Sequence, residues 1–136
     1  DSLPSDIICL QNNAVKIGNA VICGSRGWNI AESGEDKRLI DREVIRFELS
    51  LTQAKKLMED GDKLICMIHF PPFDIKTESD SPFTALFEKY NVDAVVYGHI
   101  HTNGFPHEKL VIKKNNITYY LTSCDILQHK LKEIEL

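Results

Sequence analysis

The chain has 136 residues, of which 43% are hydrophobic and 26% are charged, the composition of an ordinary globular domain. The formal net charge of -4 and the scattered lysines argue against a nucleic-acid partner, because phosphate binding requires a basic patch. No apolar stretch reaches the roughly 18 residues needed to span a bilayer, and the first residues lack signal-peptide character. We therefore expect one domain, residues 1–136, located in the cytoplasm without a membrane partner.

The opening of the chain predicts a small meander of short strands. Apolar runs at residues 7–10 and 20–23 are separated by polar and glycine-containing turns, and residues 15–17 form a possible strand between them. The glycine-rich stretch 24–29 then interrupts the pattern, and residues 33–36 lead into a helix.

The strongest helical pattern in the sequence follows. Apolar residues recur at alternating steps of four and three, which places them on one face of an α-helix; they are Ile40, Val44, Phe47, Leu51, Ala54 and Met58. The opposite face is charged and predicted to be solvated. Gly61 is expected to end the helix in a left-handed conformation.

The second half predicts a βαβ unit followed by an antiparallel β meander, and therefore an α/β fold. The unit comprises strand 64–68, helix 82–90 and strand 94–97. The meander comprises residues 110–113, 118–122 and 127–136. Because a βαβ unit joins parallel strands, the carboxyl ends of its two strands are expected at the same edge of the sheet.

Histidines follow both strands of this unit. His69 follows the first strand, and His99 and His101 follow the second. Residues two apart in an extended segment point the same way, so His99 and His101 can face one ion or two neighbouring ions. Three imidazoles can also hold a single Zn²⁺ with water in the fourth position, so a mononuclear hydrolase, complete in itself, is one interpretation of the sequence.

Two segments resemble the last two signature blocks of the calcineurin-like metallophosphoesterases. They are residues 67–72 (MIHFPP) and 97–101 (YGHIH), and the loop 24–28 (GSRGW) resembles the stretch between blocks in small bacterial members. The resemblance implies an α-β-β-α sandwich and a dinuclear centre of Mn, Fe or Zn that hydrolyses phosphate monoesters or diesters. It also implies that His69 and His99 bind one metal and His101 binds the other.

The first three blocks of that family are not found in this sequence. They supply an Asp-x-His pair, a bridging Asp in Gly-Asp-x-x-Asp, and a Gly-Asn-His with the catalytic histidine. We therefore interpret the chain as the C-terminal portion of a longer metallophosphoesterase and assign no catalytic residue within it. On this interpretation, the chain alone is inactive and binds at most one ion weakly, whereas the intact enzyme binds two and acts on a phosphate-ester substrate.

Arg26 and Trp28 are candidate substrate-binding residues. A guanidinium matches the geometry of a phosphate, and the indole offers a stacking face for an organic group. The alternative is that Arg26 pairs with a surface carboxylate while Trp28 covers the core. Carboxylates that orient the histidines are sought among three candidates: Asp74, Asp93 and Asp125.

A non-enzymatic domain is the competing interpretation of the whole chain. In it the histidine site is structural or vestigial, and the sheet binds a partner. Without the first half of the family fold, an apolar sheet surface is expected to be uncovered, and a homodimer is one way to cover it.

Overall fold

The computed structural model describes residues 4–30 and 37–136. In these residues, six strands form one sheet in the order β1-β2-β3-β4-β6-β5. The strands are β1 Asn13–Ile17, β2 Ala20–Ser25, β3 Lys63–Ile68, β4 Ala94–Tyr97, β5 Val111–Lys114 and β6 Ile117–Leu121, and the two α-helices are α1 Lys37–Leu57 and α2 Pro82–Lys89. The predicted α/β class and the βαβ unit β3-α2-β4 are confirmed.

The four central strands of the sheet are parallel. β3 pairs with β2 on one side and with β4 on the other, and β4 pairs in turn with β6. The outer strands β1 and β5 are antiparallel to their neighbours. The carboxyl ends of β2, β3, β4 and β6 therefore meet at one edge of the sheet, which is where open α/β sheets collect ligands.

Helix α1 buries the predicted apolar stripe against β1 and β2. Phe47, Leu51 and Ala54 are fully buried, and the flanking members of the stripe are half-buried. The helix ends at Leu57, before Gly61, so the predicted cap is misplaced. Gly61 does have a positive φ of 89°, but it lies in the turn before β3. Residues 33–36, expected to lead into the helix, lie outside the described ranges.

Helix α2 begins at a reciprocal cap. The side chain of Ser81 accepts from the backbone N–H of Phe83 and Thr84, while the hydroxyl of Thr84 accepts from the backbone N–H of Ser81. This pair satisfies donors that the first turn of a helix leaves open. The cap sets where the helix starts and so fixes the crossover between β3 and β4.

Both helices cover the same face of the sheet. The main core lies there, with Cys66, Val95 and Tyr119 among its fully buried members. The other face carries a smaller cluster around Ile65, Ala94 and Tyr120. The C-terminal segment lies against that cluster, because the Tyr120 hydroxyl donates to the carbonyl of Glu135 at 3.2 Å.

Two predicted strands are wrong. Residues 7–10 form no strand, and the first strand is instead the segment predicted as possible, now β1. Asn12, at a φ of 62°, turns the chain there, and its backbone N–H donates to Gly24. Pairing with β2 therefore begins only at Asn13.

The third strand of the predicted meander, residues 127–136, is also absent from this fully described segment. Gln128 and His129 have φ values of 53° and 59°, which interrupt an extended chain. The backbone N–H of Leu127 and His129 donate back to Ser123 and Cys124. Local turns thus satisfy backbone N–H groups that a strand would donate to a neighbouring strand. Of the predicted meander, only the antiparallel hairpin of β5 and β6 is present in the described residues.

Candidate metal and phosphate site

Backbone hydrogen bonds beyond the strand ends bring the predicted site residues together. The N–H of His69 donates to the carbonyl of Arg26 at 3.1 Å, and the N–H of Gly98 donates to the carbonyl of His69 at 3.2 Å. The N–H of Thr122 donates to the carbonyl of Tyr97 at 2.8 Å. Pairing thus continues past β2, β3, β4 and β6, and it fixes the positions of the loops that follow them.

His69 and His99 form a direct pair. The Nε2 of His69 lies 3.1 Å from the Nδ1 of His99, and both side chains belong to exposed residues. Partial burial, followed by the charges of His99, Arg26 and His101, lowers the pKa of His69. A lowered pKa favours the neutral form of the His69 imidazole, which is the form that binds a metal ion.

His99 has an unusual backbone conformation. Its φ is 68°, and the N–H of Ile100 donates to the carbonyl of Gly98 at 2.8 Å across it. This is the three-residue turn with positive φ, the rarer and strained form of the γ-turn. The turn brings the His99 ring against Phe70, at 4.4 Å between centroids, and toward His69.

His101 is held by a carboxylate rather than by the other two histidines. Its Nδ1 lies 2.9 Å from Oδ1 of Asp125. Although burial raises the pKa of Asp125, hydrogen bonds from His101 and from the backbone N–H of Ile126 hold it below its usual value. A carboxylate on one ring nitrogen leaves the other free to bind a metal, as is common for metal-binding histidines.

The structure distinguishes among the three candidate carboxylates. Asp125 contacts a candidate ligand, as described. Asp93 instead accepts from the backbone N–H of Leu64 at 2.8 Å, at the opposite end of β3. Asp74 accepts from the backbone N–H of Lys76 at 2.8 Å. Only Asp125 follows β6, whose parallel pairing with β4 could not be deduced from local sequence.

Arg26 and Trp28 lie beside the histidine pair through an aromatic cluster. The Arg26 guanidinium carbon is 4.7 Å from the Trp28 ring centroid and 5.5 Å from that of Phe70. Phe70 also packs against His69 at 4.9 Å between centroids. Phe70 is therefore part of the site, although the sequence analysis did not single it out, because an apolar residue after a strand carries no signal of such a role.

The Arg26 guanidinium forms no ion pair with any residue in the described ranges. Among those residues, therefore, no surface carboxylate pairs with Arg26 as the alternative interpretation expected. A guanidinium held over two rings keeps its N–H edge available for an anion. Trp28 is half-buried, and its indole nitrogen is buried without a hydrogen-bond partner among the described residues.

The histidine pair fits a shared metal ion. Two nitrogens that each lie about 2.1 Å from one ion are about 3.0 Å apart at a right angle and about 3.4 Å apart at a tetrahedral angle. The observed 3.1 Å lies in that range. Across residues 4–30 and 37–136, however, no three His, Cys, Asp or Glu side chains are grouped closely enough to hold an ion, so the pair is an incomplete ligand set.

These features define an α/β protein whose parallel strands bring imidazoles and an arginine to one edge of the sheet. A family model described as calcineurin-like phosphoesterase matches residues 7–103, and the chain belongs to that family. The matched range includes all three histidines, Arg26 and Trp28, whereas Asp125 lies beyond it. No curated protein and no solved structure matches the chain. Neither described helix is long and apolar enough to cross a membrane.

Proposed function

We propose that the chain supplies three histidine ligands to a two-metal centre in a phosphoesterase, and that the remaining ligands come from polypeptide outside this sequence. The observation that carries this proposal is the 3.1 Å separation of the His69 and His99 ring nitrogens. Family membership supports the reaction class, hydrolysis of a phosphate ester.

In this proposal His69 and His99 hold one ion and His101, oriented by Asp125, holds the second. When bound, two divalent ions such as Mn, Fe or Zn stabilise the attacking and leaving oxygens of a displacement at phosphorus. The chain's own residues position the ligands. The γ-turn places the His99 ring, the carboxylate of Asp125 orients His101, and partial burial favours the neutral form of His69.

Arg26 and Trp28 are proposed to bind the substrate. The Arg26 guanidinium is free of ion pairs within the described ranges and can form two parallel hydrogen bonds to a phosphate. Stacking on Trp28 and Phe70 holds the guanidinium in place, which reduces the entropy lost when an anion binds. We place the substrate phosphate between Arg26 and the histidine pair.

We further propose that this chain by itself is inactive. The sequence contains no Asp-x-His, Gly-Asp-x-x-Asp or Gly-Asn-His, so it lacks a bridging carboxylate and the histidine that would protonate a leaving group. General-acid catalysis typically contributes 10² to 10⁴ in rate. With two imidazoles in place and no third ligand grouped with them among the described residues, the chain holds at most one ion weakly.

Calorimetric titration with Mn²⁺ and Zn²⁺ tests the ligand assignment. We expect weak binding of at most one ion, reduced at least tenfold in His69→Ala and in His99→Ala. His107→Ala and His129→Ala are matched controls, because those histidines lie outside the cluster, and they should leave binding unchanged. Equal binding by the His99 and His107 variants would overturn the assignment.

Hydrolysis of p-nitrophenyl phosphate tests the inactivity of the chain. A longer polypeptide that carries the three missing patterns should be active with Mn²⁺, and this chain should not. Comparable turnover by the two would show instead that the chain is a complete hydrolase with a mononuclear site.

A second candidate function, a partner-binding domain without activity, is favoured by the sheet face opposite the helices. Met67 on that face is 45% exposed, and a groove of about 570 Å³ runs beside it, lined also by Ile22, Ile65 and Val96. We propose a second copy of the chain as the occupant. Light scattering should then show a dimer that Met67→Lys converts to a monomer, and a monomeric wild-type chain would exclude this arrangement.

A further inference from the structure

An apolar cavity of about 530 Å³ lies among the loops that follow β2, β3 and β4. Its size falls in the range of about 300 to 1,000 Å³ that is typical of small-molecule pockets. Its apolar wall includes Ile30, Phe73, Ile75, Ile100 and Phe105. All five pack at the main core, so the cavity is an open end of that core.

The cavity shares its walls with the loops of the candidate site. Ile100 lies between His99 and His101, Pro71 follows His69 by two residues, and Thr102 follows His101 directly; all three non-histidine residues line the cavity. The histidines themselves do not line the cavity, but the same loops carry both the histidines and part of the cavity wall.

Three charged side chains line the cavity, and two of them have partners. Lys109 forms an ion pair with Glu78, and the Asp74 carboxylate accepts from the backbone N–H of Lys76. The third, Lys76, belongs to an exposed residue. Because most of the remaining wall is hydrocarbon, the main contact that an occupant gains is burial of apolar surface, about 25 cal/mol per Å².

We propose that this cavity binds the organic part of the substrate, an aryl or similarly apolar group attached to the phosphate. This inference rests on the proposed function, because that function places the phosphate at the histidines. It predicts that the protein selects esters by the apolar character of the alcohol, with Ile75, Ile100 and Phe105 as residues that determine specificity.

The test uses 2-naphthol as a probe of the cavity alone and follows the isoleucine methyl groups by NMR. Binding should shift the resonances of Ile30, Ile75 and Ile100. Ile17 and Ile45, which are exposed elsewhere, serve as internal controls and should not shift. Shifts at the control residues, or no saturable shift in the cavity, would overturn the proposal.

Variants separate this inference from the proposed metal site. Phe105→Ala should weaken naphthol binding at least tenfold, whereas Leu110→Ala, a half-buried apolar residue outside the cavity, should not. His99→Ala should leave naphthol binding unchanged. If His99→Ala also retains full metal binding, the proposed function fails while the cavity assignment stands.

A final experiment tests whether a phosphate ester places its organic group in the cavity. With Zn²⁺ present, which is diamagnetic and so does not broaden nearby resonances, 2-naphthyl phosphate should shift the same isoleucine methyls as 2-naphthol and bind at least tenfold more tightly. Inorganic phosphate should leave those methyls unshifted. If Phe105→Ala fails to fold, the chemical-shift changes in the wild-type chain test the proposal by themselves. An ester that does not shift the methyl resonances of Ile30, Ile75 and Ile100 then refutes the assignment of the cavity.

Discussion

His99 is a candidate metal ligand whose backbone has a strained conformation. Replacing it should therefore separate an effect on metal binding from an effect on stability. We compare His99→Gly with His99→Ala. Both variants lose the imidazole, its 3.1 Å contact with His69 and its packing on Phe70. They differ only at Cβ, which alanine keeps and glycine lacks, so the comparison isolates the cost of the φ of 68°.

The expected difference follows from two opposing terms. A residue other than glycine in a strained backbone conformation costs about 1 to 3 kcal/mol, which glycine relieves. Glycine also gives the unfolded chain more freedom, at a cost of about 0.4 to 1 kcal/mol. We therefore expect His99→Gly to be more stable than His99→Ala by about 1 kcal/mol, or about 3 to 5 °C in Tm for a chain of this size.

Urea unfolding followed by circular dichroism, with EDTA present so that no metal contributes, measures the difference. The matched control is the same pair at His101, whose φ is not positive. There glycine should be less stable than alanine by about 0.5 to 1 kcal/mol. The argument is refuted if glycine fails to stabilise at position 99, or if the two positions respond with the same sign.

Three further predictions concern the supports of the site. Ser50→Ala should lower the free energy of unfolding by about 1 to 3 kcal/mol in urea, because the fully buried Ser50 hydroxyl accepts from the N–H of Gly24 at 2.8 Å; a loss under 0.5 kcal/mol would contradict this. Gly24→Ala should cost about 3 kcal/mol, since a Cβ there would lie 2.5 Å from the carbonyl oxygen of Met67. As the control for Gly24→Ala, Gly18→Ala has a φ of 60° but places no atom within 4 Å of the added Cβ, so it should cost only about 1 kcal/mol in the same assay. In a longer polypeptide that carries the three missing patterns, Asp125→Asn should weaken binding of the second ion, the one assigned to His101, about 10- to 100-fold, and an unchanged titration would show that this carboxylate does not orient a ligand.

Local sequence patterns predicted α1, β3 and β4, for two different reasons. The stripe of α1 repeats with the period of a helix, whereas β3 and β4 are short continuous apolar runs, the pattern of strands buried on both faces of a sheet. Reliance on local pattern also explains why the strand predicted at the C-terminal end of the chain is wrong. Residues 127–136 alternate as a strand does, yet Leu131 is fully exposed and the turn at Gln128 forms its hydrogen bonds locally.

The site was predictable only where its residues follow predicted strands. His69 directly follows β3, and His99 lies two residues beyond β4. Their proximity could therefore be predicted from the βαβ unit. Asp125 follows β6, and its approach to His101 depends on the parallel pairing of β4 with β6, a long-range contact without a local signal. The γ-turn at His99 could not be predicted from the sequence either, because a positive φ is common for glycine and uncommon for histidine.

One short segment connects the two ligand sites proposed for this chain. His99 contacts His69, His101 contacts Asp125, and Ile100 between them joins the main core and lines the apolar cavity. The γ-turn at His99 interrupts the extended chain, so each of these three side chains is positioned by its own contact and not by the alternation of a strand. In the two proposals the phosphate of the ester meets the imidazoles and its organic group meets Ile100, so one three-residue segment contacts both parts of the substrate. A variant that removes one of these side chains without moving the backbone, such as His99→Ala, therefore changes one contact and leaves the other.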